Sequence, residues 1–439
     1  MAFDTDGTIT SAHRNKRRCY PKMLPSCHLT NRSGPPTLAK RHPSNYDVET
    51  LAIISGRASG EHHGVVNTPV YRASTILHSD ARAFETRHDI FDRYKVVYGL
   101  LGTPTTFALE EAMIALTGGH DAVLTSSGLS AVTISLLSFV SAGDHLLMTD
   151  SVYWPTRAFC DQTLSRFGVD VTYYDPTIGA DIESLIRPNT RVIFLESPGS
   201  MTFEVQDIPA ITKIAKQREI TTLLDATWAT PLYFDAFGHG VDVAIHAATK
   251  YLVGHSDVLL GVIVSNERTW ETVRQTKTRL GEGAGPDEVY LTTRGLRTLP
   301  MRLKHHHENG LTLARWLEHR PEVASVLHPA LPGAPGHELF KRDFSGACGL
   351  FGVILNNYST ETVRNMLNSL ELFGIGASWG GYESLIIPAF PDRYRTATPW
   401  NAPGPLLRLH AGLESPTDLI ADLEHGFNQL ADQGTNSIT

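Results

Sequence analysis

The sequence is poor in several features that would place a protein quickly. Cysteine occurs four times in 439 residues, at Cys19, Cys27, Cys160 and Cys348, and the four are scattered. That spacing offers no zinc-type ligand set and no disulfide framework, and it fits a reducing, cytosol-like compartment. No apolar run approaches the roughly 20 residues that a membrane helix needs. Charge of one sign is also scarce. A net charge of −8 gives no general attraction to nucleic acid or to a membrane surface.

What is there belongs to a globular protein: 41% hydrophobic and 19% charged residues, in a chain long enough for two domains plus extensions. Residues 1–45 differ from the rest, being basic, rich in proline and serine, and without sustained apolar periodicity. They read as a disordered tail. They lack the apolar core of a secretory signal, and Asp4 and Asp6 are unwelcome in an organelle-targeting segment.

From about residue 105, apolar strands alternate with amphipathic helices. "HLLMTD" (145–150), "VDVTYYD" (169–175), "RVIFLES" (191–197), "TTLLDA" (221–226), "VDVAIH" (241–246) and "GVIVSN" (261–266) read as short buried strands. Leu129, Val132, Leu136, Leu137 and Val140 mark one helix face, and Ile208, Ile211, Ile214 and Ala215 another. Such alternation implies a largely parallel sheet covered on both faces, with ligands beyond the carboxyl ends of its strands. Near residue 290 the character changes. A long helix with a kink at Pro300, the strands "GLFGVIL" and "LLRLHAGL", and a last helix opened by Ser415-Pro416-Thr417-Asp418 form a smaller α+β domain.

Candidate chemistry gathers at strand ends. Asp225 closes "TTLLD", where a carboxylate is either a solvated cap or the partner of a cation. Lys250 closes the next strand, either as a solvated strand end or as an amine kept partly neutral to form a Schiff base. Together they would suit a cofactor with a pyridinium nitrogen at one end and an aldehyde at the other. "TSSGLSAV" (125–132) leads into a helix near Gly128. It is a plain serine cap or an anion site made of free amides, to which Thr249 could add a hydroxyl. Tyr153 packs in the core or stacks on a planar cofactor. Arg408, in an apolar strand, is a surface arginine or a bidentate carboxylate clamp. "SWGGYES" (378–384) is a glycine turn carrying an indole. "HHHE" (305–308) and "EHH" (61–63) read as solvated histidines, because adjacent helical residues cannot converge on one ion. No metal site is expected.

These residues together resemble the Cys/Met-metabolism family of pyridoxal-phosphate (PLP) enzymes, most of all its bacterial cystathionine β-lyases. The likeness runs through "YG..GT.T.FALE" (98–110), "FLESPGS" (194–200), "AATKYLVGHSD" (247–257), "TTRGLRTL" (292–299), "HPALPG" (328–333), "SWGGYESL" (378–385) and "LLRLHAGLE" (406–414). It implies the aspartate-aminotransferase-like α/β fold (fold type I) and PLP as cofactor. It also implies a cytoplasmic homotetramer with active sites shared between subunits. In its terms the segments are an N-terminal arm (46–104), a PLP-binding large domain (105–296) and a small domain (297–439).

Residue by residue, the resemblance makes Lys250 the Schiff-base lysine, Asp225 the acid facing the pyridinium nitrogen and Tyr153 the stacked ring. Gly128 and Leu129 become phosphate-binding amides, with Thr227 and Thr249 nearby. Tyr98 would be donated by the neighbouring subunit. Arg408 would clamp the substrate α-carboxylate, supported by Ser378, with Trp379 where β-lyases carry tryptophan. Two positions depart from the pattern: Leu100 replaces an inter-subunit phosphate arginine, and Ala226 an asparagine. The activity implied is α,β-elimination on L-cystathionine or a related cysteine conjugate. A γ-acting relative and a catalytically inactive binding protein of the same fold are the alternatives.

Overall fold

The computed structural model describes residues 46–86 and 95–434. The basic tail read over 1–45 lies outside them. Seven strands form the larger sheet: β1 (Asp121–Thr125), β2 (His145–Thr149), β3 (Asp170–Tyr174), β4 (Thr190–Glu196), β5 (Thr221–Asp225), β6 (Val243–Ala247) and β7 (Gly261–Ser265). Their order is β1-β7-β6-β5-β4-β2-β3. Only β7 runs antiparallel to its neighbours. β1, β2 and β7 are buried along their whole length. Such strands read as continuous apolar runs because helices cover both faces of the sheet.

The six strands expected from the sequence are present, shifted by a residue or two at their ends. β1 is not among the strands read from the sequence. It lies at the sheet edge and pairs with β7, far away in sequence, in the register Asp121↔Ser265 to Thr125↔Gly261. The helix face at Ile208, Ile211 and Ala215 is buried as read. Leu129 is not part of the core face of the helix Gly128–Phe139; it is 38% exposed.

The smaller sheet is antiparallel, in the order β10-β11-β9-β8, from β8 (Val323–Leu327), β9 (Leu350–Leu355), β10 (Leu385–Ala389) and β11 (Leu406–His410). The long helix read from residue 290 is two helices, Pro286–Leu296 and Leu299–Leu317, with Arg297 and Thr298 between. Pro300 therefore sits in the first turn of a new helix, where its missing N–H costs nothing, and it starts that helix rather than kinking one.

The histidines of this second helix differ from expectation too. His306 is fully buried, its ring 5.1 Å from that of His410, and its Nδ1 lies 2.9 Å from the Ala411 carbonyl. Burial pushes its pKa down to about 4, so it is a neutral core residue. His307 Nδ1 accepts the Ala347 N–H at 2.9 Å. Among the described residues no three His, Cys, Asp or Glu side chains are grouped to hold a metal ion. Nor is any described helix long and apolar enough to cross a membrane.

Candidate active site

A cavity of about 460 Å³ opens where β4, β5 and β6 end, between the large sheet and the small one. Ten of the residues singled out above line it: Gly128, Leu129, Tyr153, Asp225, Thr227, Thr249, Lys250, Ser378, Trp379 and Arg408. Each arrives by a different route.

Asp225 is the last residue of β5. Its Oδ1 accepts from the Thr227 amide at 3.0 Å and from the Thr227 hydroxyl at 2.5 Å. The same hydroxyl accepts the Ala247 N–H at 2.9 Å, which ties the ends of β5 and β6 together. Thr227 thus orients the acid. Burial pushes the Asp225 pKa up, against those two hydrogen bonds and the Lys250 charge.

Lys250 does not close β6. The strand ends at Ala247, and Lys250 sits in the turn that follows, its N–H donating to the Ala247 carbonyl at 3.0 Å. Arg302, from the helix Leu299–Leu317, holds that turn by donating to the Tyr251 carbonyl and to the Gly295 carbonyl, each at 2.8 Å. Gly295 fits beneath it because any Cβ there would lie 2.5 Å from the Val253 carbonyl oxygen. Lys250 Nζ donates to Ser378 Oγ at 2.7 Å and lies 5.3 Å from the centre of the Trp379 ring. Burial, and then the Arg408 charge, pull its pKa down to about 8 against the pull of Asp225.

The helix Gly128–Phe139 points its N-terminus into the cavity. Ser127 caps it, accepting the Ser130 N–H at 3.1 Å, a cap worth about 1 kcal/mol. A Cβ on Gly128 would lie 2.5 Å from Ala247 Cβ, so glycine lets this helix end press against the end of β6. The free amides of the first turn and the helix dipole make the spot suited to a phosphate. Thr249 lines the same cavity. Its hydroxyl accepts the Leu260 N–H at 3.0 Å and donates to the Leu260 carbonyl at 3.3 Å, so its proton is already engaged.

Arg408 lies in β11, which is paired on both sides by β10 and β9, so it is no edge-strand arginine. Its Nη2 donates to the Ser378 carbonyl at 2.8 Å, while its buried Nε has no hydrogen-bond partner among the described residues. An unsatisfied guanidinium N–H costs free energy until an acceptor arrives. Burial draws its pKa down to about 10, where it is still cationic at neutral pH. Ser378 carries the carbonyl with φ of 78°, a left-handed conformation that costs a non-glycine residue about 1–2 kcal/mol.

Sequence reasoning missed Glu196. It is the last residue of β4, paired in register with Asp225, and its Oε2 accepts the Tyr153 N–H at 2.8 Å. Burial, then the neighbouring Asp225 charge, raise its pKa well above the carboxylate range. The carboxyl-end rule that picked out Asp225 applies equally to this glutamate. Tyr153, at the N-terminus of the helix Trp154–Phe159, is 43% exposed, with burial, Asp225 and Glu196 raising its phenol pKa. Trp154, Met201 and Leu259 complete the walls. Tyr98 lies elsewhere. It is 47% exposed and lines a separate surface hollow with Arg72, Leu100 and Lys277, whose Nζ donates to the Leu100 carbonyl at 3.3 Å.

The donor set fits PLP. An amine and a carboxylate share one cavity, an amide-rich helix end suits the phosphate, and a guanidinium with an unpaired Nε–H stands beside them. Comparison with known proteins agrees. A family model described as "Cys/Met metabolism PLP-dependent enzyme" matches residues 49–428. The chain is 44% identical over 391 residues to cystathionine beta-lyase MetC of Escherichia coli K12, covering 87% of this chain and 98% of that one. It is also 44% identical over 396 residues to cystathionine beta-lyase of Haemophilus influenzae, covering 88% and 100%. An L-alanine/L-glutamate racemase of Wolbachia pipientis is 39% identical over 394 residues, covering 87% and 97%. The crystal structure of metB from Corynebacterium glutamicum superposes with a TM-score of 0.82 at 28% identity, covering 89% of this chain and 100% of that one. The chain belongs to the Cys/Met-metabolism family of PLP-dependent enzymes, of fold type I.

Proposed function

We propose that this enzyme is a carbon–sulfur lyase that cleaves L-cystathionine, or a related cysteine S-conjugate, by α,β-elimination. The observation that carries the reading is the convergence of Lys250, Asp225 and Arg408 on one cavity, in a chain closely similar to two cystathionine β-lyases.

PLP, when bound, supplies an electron sink conjugated to the substrate Cα. Every other task falls to side chains. The Gly128 and Leu129 amides would hold the cofactor phosphate. Asp225 would keep a proton on the pyridine nitrogen, with Thr227 fixing the orientation of the acid. Tyr153 would offer its ring to the cofactor, its turn held by Glu196. Arg408 takes the substrate α-carboxylate on its free N–H groups, while the Ser378 carbonyl fixes its plane.

Lys250 carries the proton traffic. With a pKa lowered to about 8, its amine is available as a base near neutral pH and takes the proton from Cα. The Cβ–S bond then breaks. The departing sulfur receives a proton from Lys250 or from the Tyr153 phenol, whose raised pKa keeps its proton in place until it is needed. Cystathionine and water become homocysteine, pyruvate and ammonia.

The proposal includes a cytoplasmic homotetramer in which Tyr98 enters the neighbouring subunit's cavity. Its exposure, and its position outside the cavity of its own chain, support that arrangement. Incubation with L-cystathionine tests the reaction: pyruvate with homocysteine is expected. Production of 2-oxobutyrate with cysteine would shift the assignment to cleavage at Cγ, and absence of both pairs would refute lyase activity on this substrate.

A further inference from the structure

A cluster of buried charge lies behind the cavity wall, and the chemistry described so far does not use it. Asp150 follows β2 by one residue and is fully buried. Its carboxylate accepts three successive backbone N–H groups from the small-domain side of the cavity: Thr396 at 3.0 Å, Ala397 at 2.9 Å and Thr398 at 2.8 Å. It also accepts the Thr398 hydroxyl at 3.1 Å and pairs with the buried Arg157.

Arg395 completes the cluster. Its side chain is 4% exposed, its Nε lies 3.5 Å from Asp150 Oδ2, and its Nη1 donates to Glu204 Oε1 at 2.5 Å. One guanidinium, carried on the segment after β10, thus reaches two separate segments of the large domain: it lies in ion-pair range of one, its Nε making no hydrogen bond among the described residues, and it hydrogen-bonds to the other. The first runs from Asp150 to Arg157 and carries the cavity residues Tyr153 and Trp154. The second, Gly199–Glu204, carries Ser200 and Met201, which also line the cavity. The two loops also meet directly, where the Ser200 N–H donates to the Ser151 carbonyl at 2.8 Å. The Trp154 and Tyr394 rings lie 5.4 Å apart, alongside the charged contact.

An apolar contact would join these segments at lower desolvation cost, since burying the Asp150, Arg157 and Arg395 side chains is expensive even when they are paired. What the charges add is direction. A carboxylate held by three consecutive amides and the Arg157 guanidinium, with Arg395 in ion-pair range, favours one relative placement of the segments.

We propose that Arg395, through Asp150 and Glu204, is a positioning residue of the active site. It latches residues 395–398 to the two wall segments and so sets the placement of Trp154 and Met201 in the cavity wall. The inference rests on the reading of this cavity as the lyase site.

Arg395→Gln tests it without emptying the cluster, because Asp150 keeps Arg157 and its amides, and Glu204 keeps the Thr202 hydroxyl at 2.5 Å. The variant holoenzyme is expected to bind cofactor with an unchanged visible spectrum. Its KM for L-cystathionine is expected to rise about tenfold with kcat within about twofold of the parent, since displacement of a wall by an ångström is enough for effects of that size. Arg395→Lys should restore part of the KM. A parental KM in Arg395→Gln, or an activity loss that merely follows the fraction of unfolded protein, would overturn the latch. A parent enzyme that releases no pyruvate refutes the proposed reaction instead. The latch is then judged by hydrogen exchange: faster exchange of residues 199–204 and 396–398 in Arg395→Gln supports it, and unchanged exchange sinks it.

Discussion

The Lys250 amine offers the sharpest quantitative test. Its pKa is drawn from 10.5 to about 8, by burial first and the Arg408 charge second, with Asp225 opposing. That difference of roughly 2.5 units disfavours the ammonium form by roughly 3 kcal/mol relative to a solvated lysine. At pH 8 about half of the Lys250 side chains are then neutral, against about one in 300 for an ordinary lysine. In cofactor-free protein, pulse acylation read by mass spectrometry of the Lys250 peptide should rise with pH through a midpoint near 8. Asp225→Asn removes the charge that favours the ammonium and should move the midpoint down; Arg408→Gln removes the one that opposes it and should move it up. Stability follows with a definite sign. The unfolded chain holds this proton more tightly than the folded one, so the Lys250 contribution to stability is least below about pH 8 and rises until about pH 10.5. The stability difference between Lys250→Met and the parent should therefore be largest at low pH and shrink across that window. A labelling midpoint above about 10, or shifts of the opposite sign in the two variants, would refute the electrostatic account of the site.

Two further substitutions probe its other corners. Arg408→Ala should raise KM for the amino-acid substrate by roughly a hundredfold or more, the scale for losing one partner of a buried charged pair; initial rates over a wide substrate range check this, and a parental KM would remove Arg408 from substrate binding. Gly128→Ala places a Cβ 2.5 Å from Ala247 Cβ. It should weaken cofactor affinity in spectral titration and lower folding stability by about 1–3 kcal/mol in urea, whereas unaltered affinity would mean that this helix end does not carry the phosphate.

How much of this was legible in the sequence follows from how local each determinant is. The strands of the parallel sheet announce themselves because burial on both faces demands continuous apolar runs, and the carboxyl-end rule then leads directly to Asp225. β11 reads as a strand for the same reason, with Arg408 conspicuous in it as a charge among leucines. The turn at Lys250 was misread as strand because "HAATK" carries no turn residue. What makes it a turn is remote: Arg302 capping the Tyr251 carbonyl, and Gly295 leaving room below. Pro300 was misplaced by the opposite error, a local rule applied without knowing that a helix begins at Leu299. The burial of His306 depends on His410 and Ala411, some hundred positions away, and no periodicity in "HHHE" could reveal it.

The charged latch was the least visible of all. Asp150 and Thr396 stand 246 positions apart, and an aspartate after a strand or an arginine in a loop is unremarkable until the two are seen to be buried against each other. A shared fold and cofactor do not fix which bond is broken, and a β-lyase and an amino-acid racemase both stand among the relatives of this chain. The residues that hold the cofactor set what chemistry is available. The proposed latch of Asp150, Glu204 and Arg395 bears on the walls rather than on the residues that would hold the cofactor, and it is in such walls that a pocket distinguishes one amino-acid side chain from another.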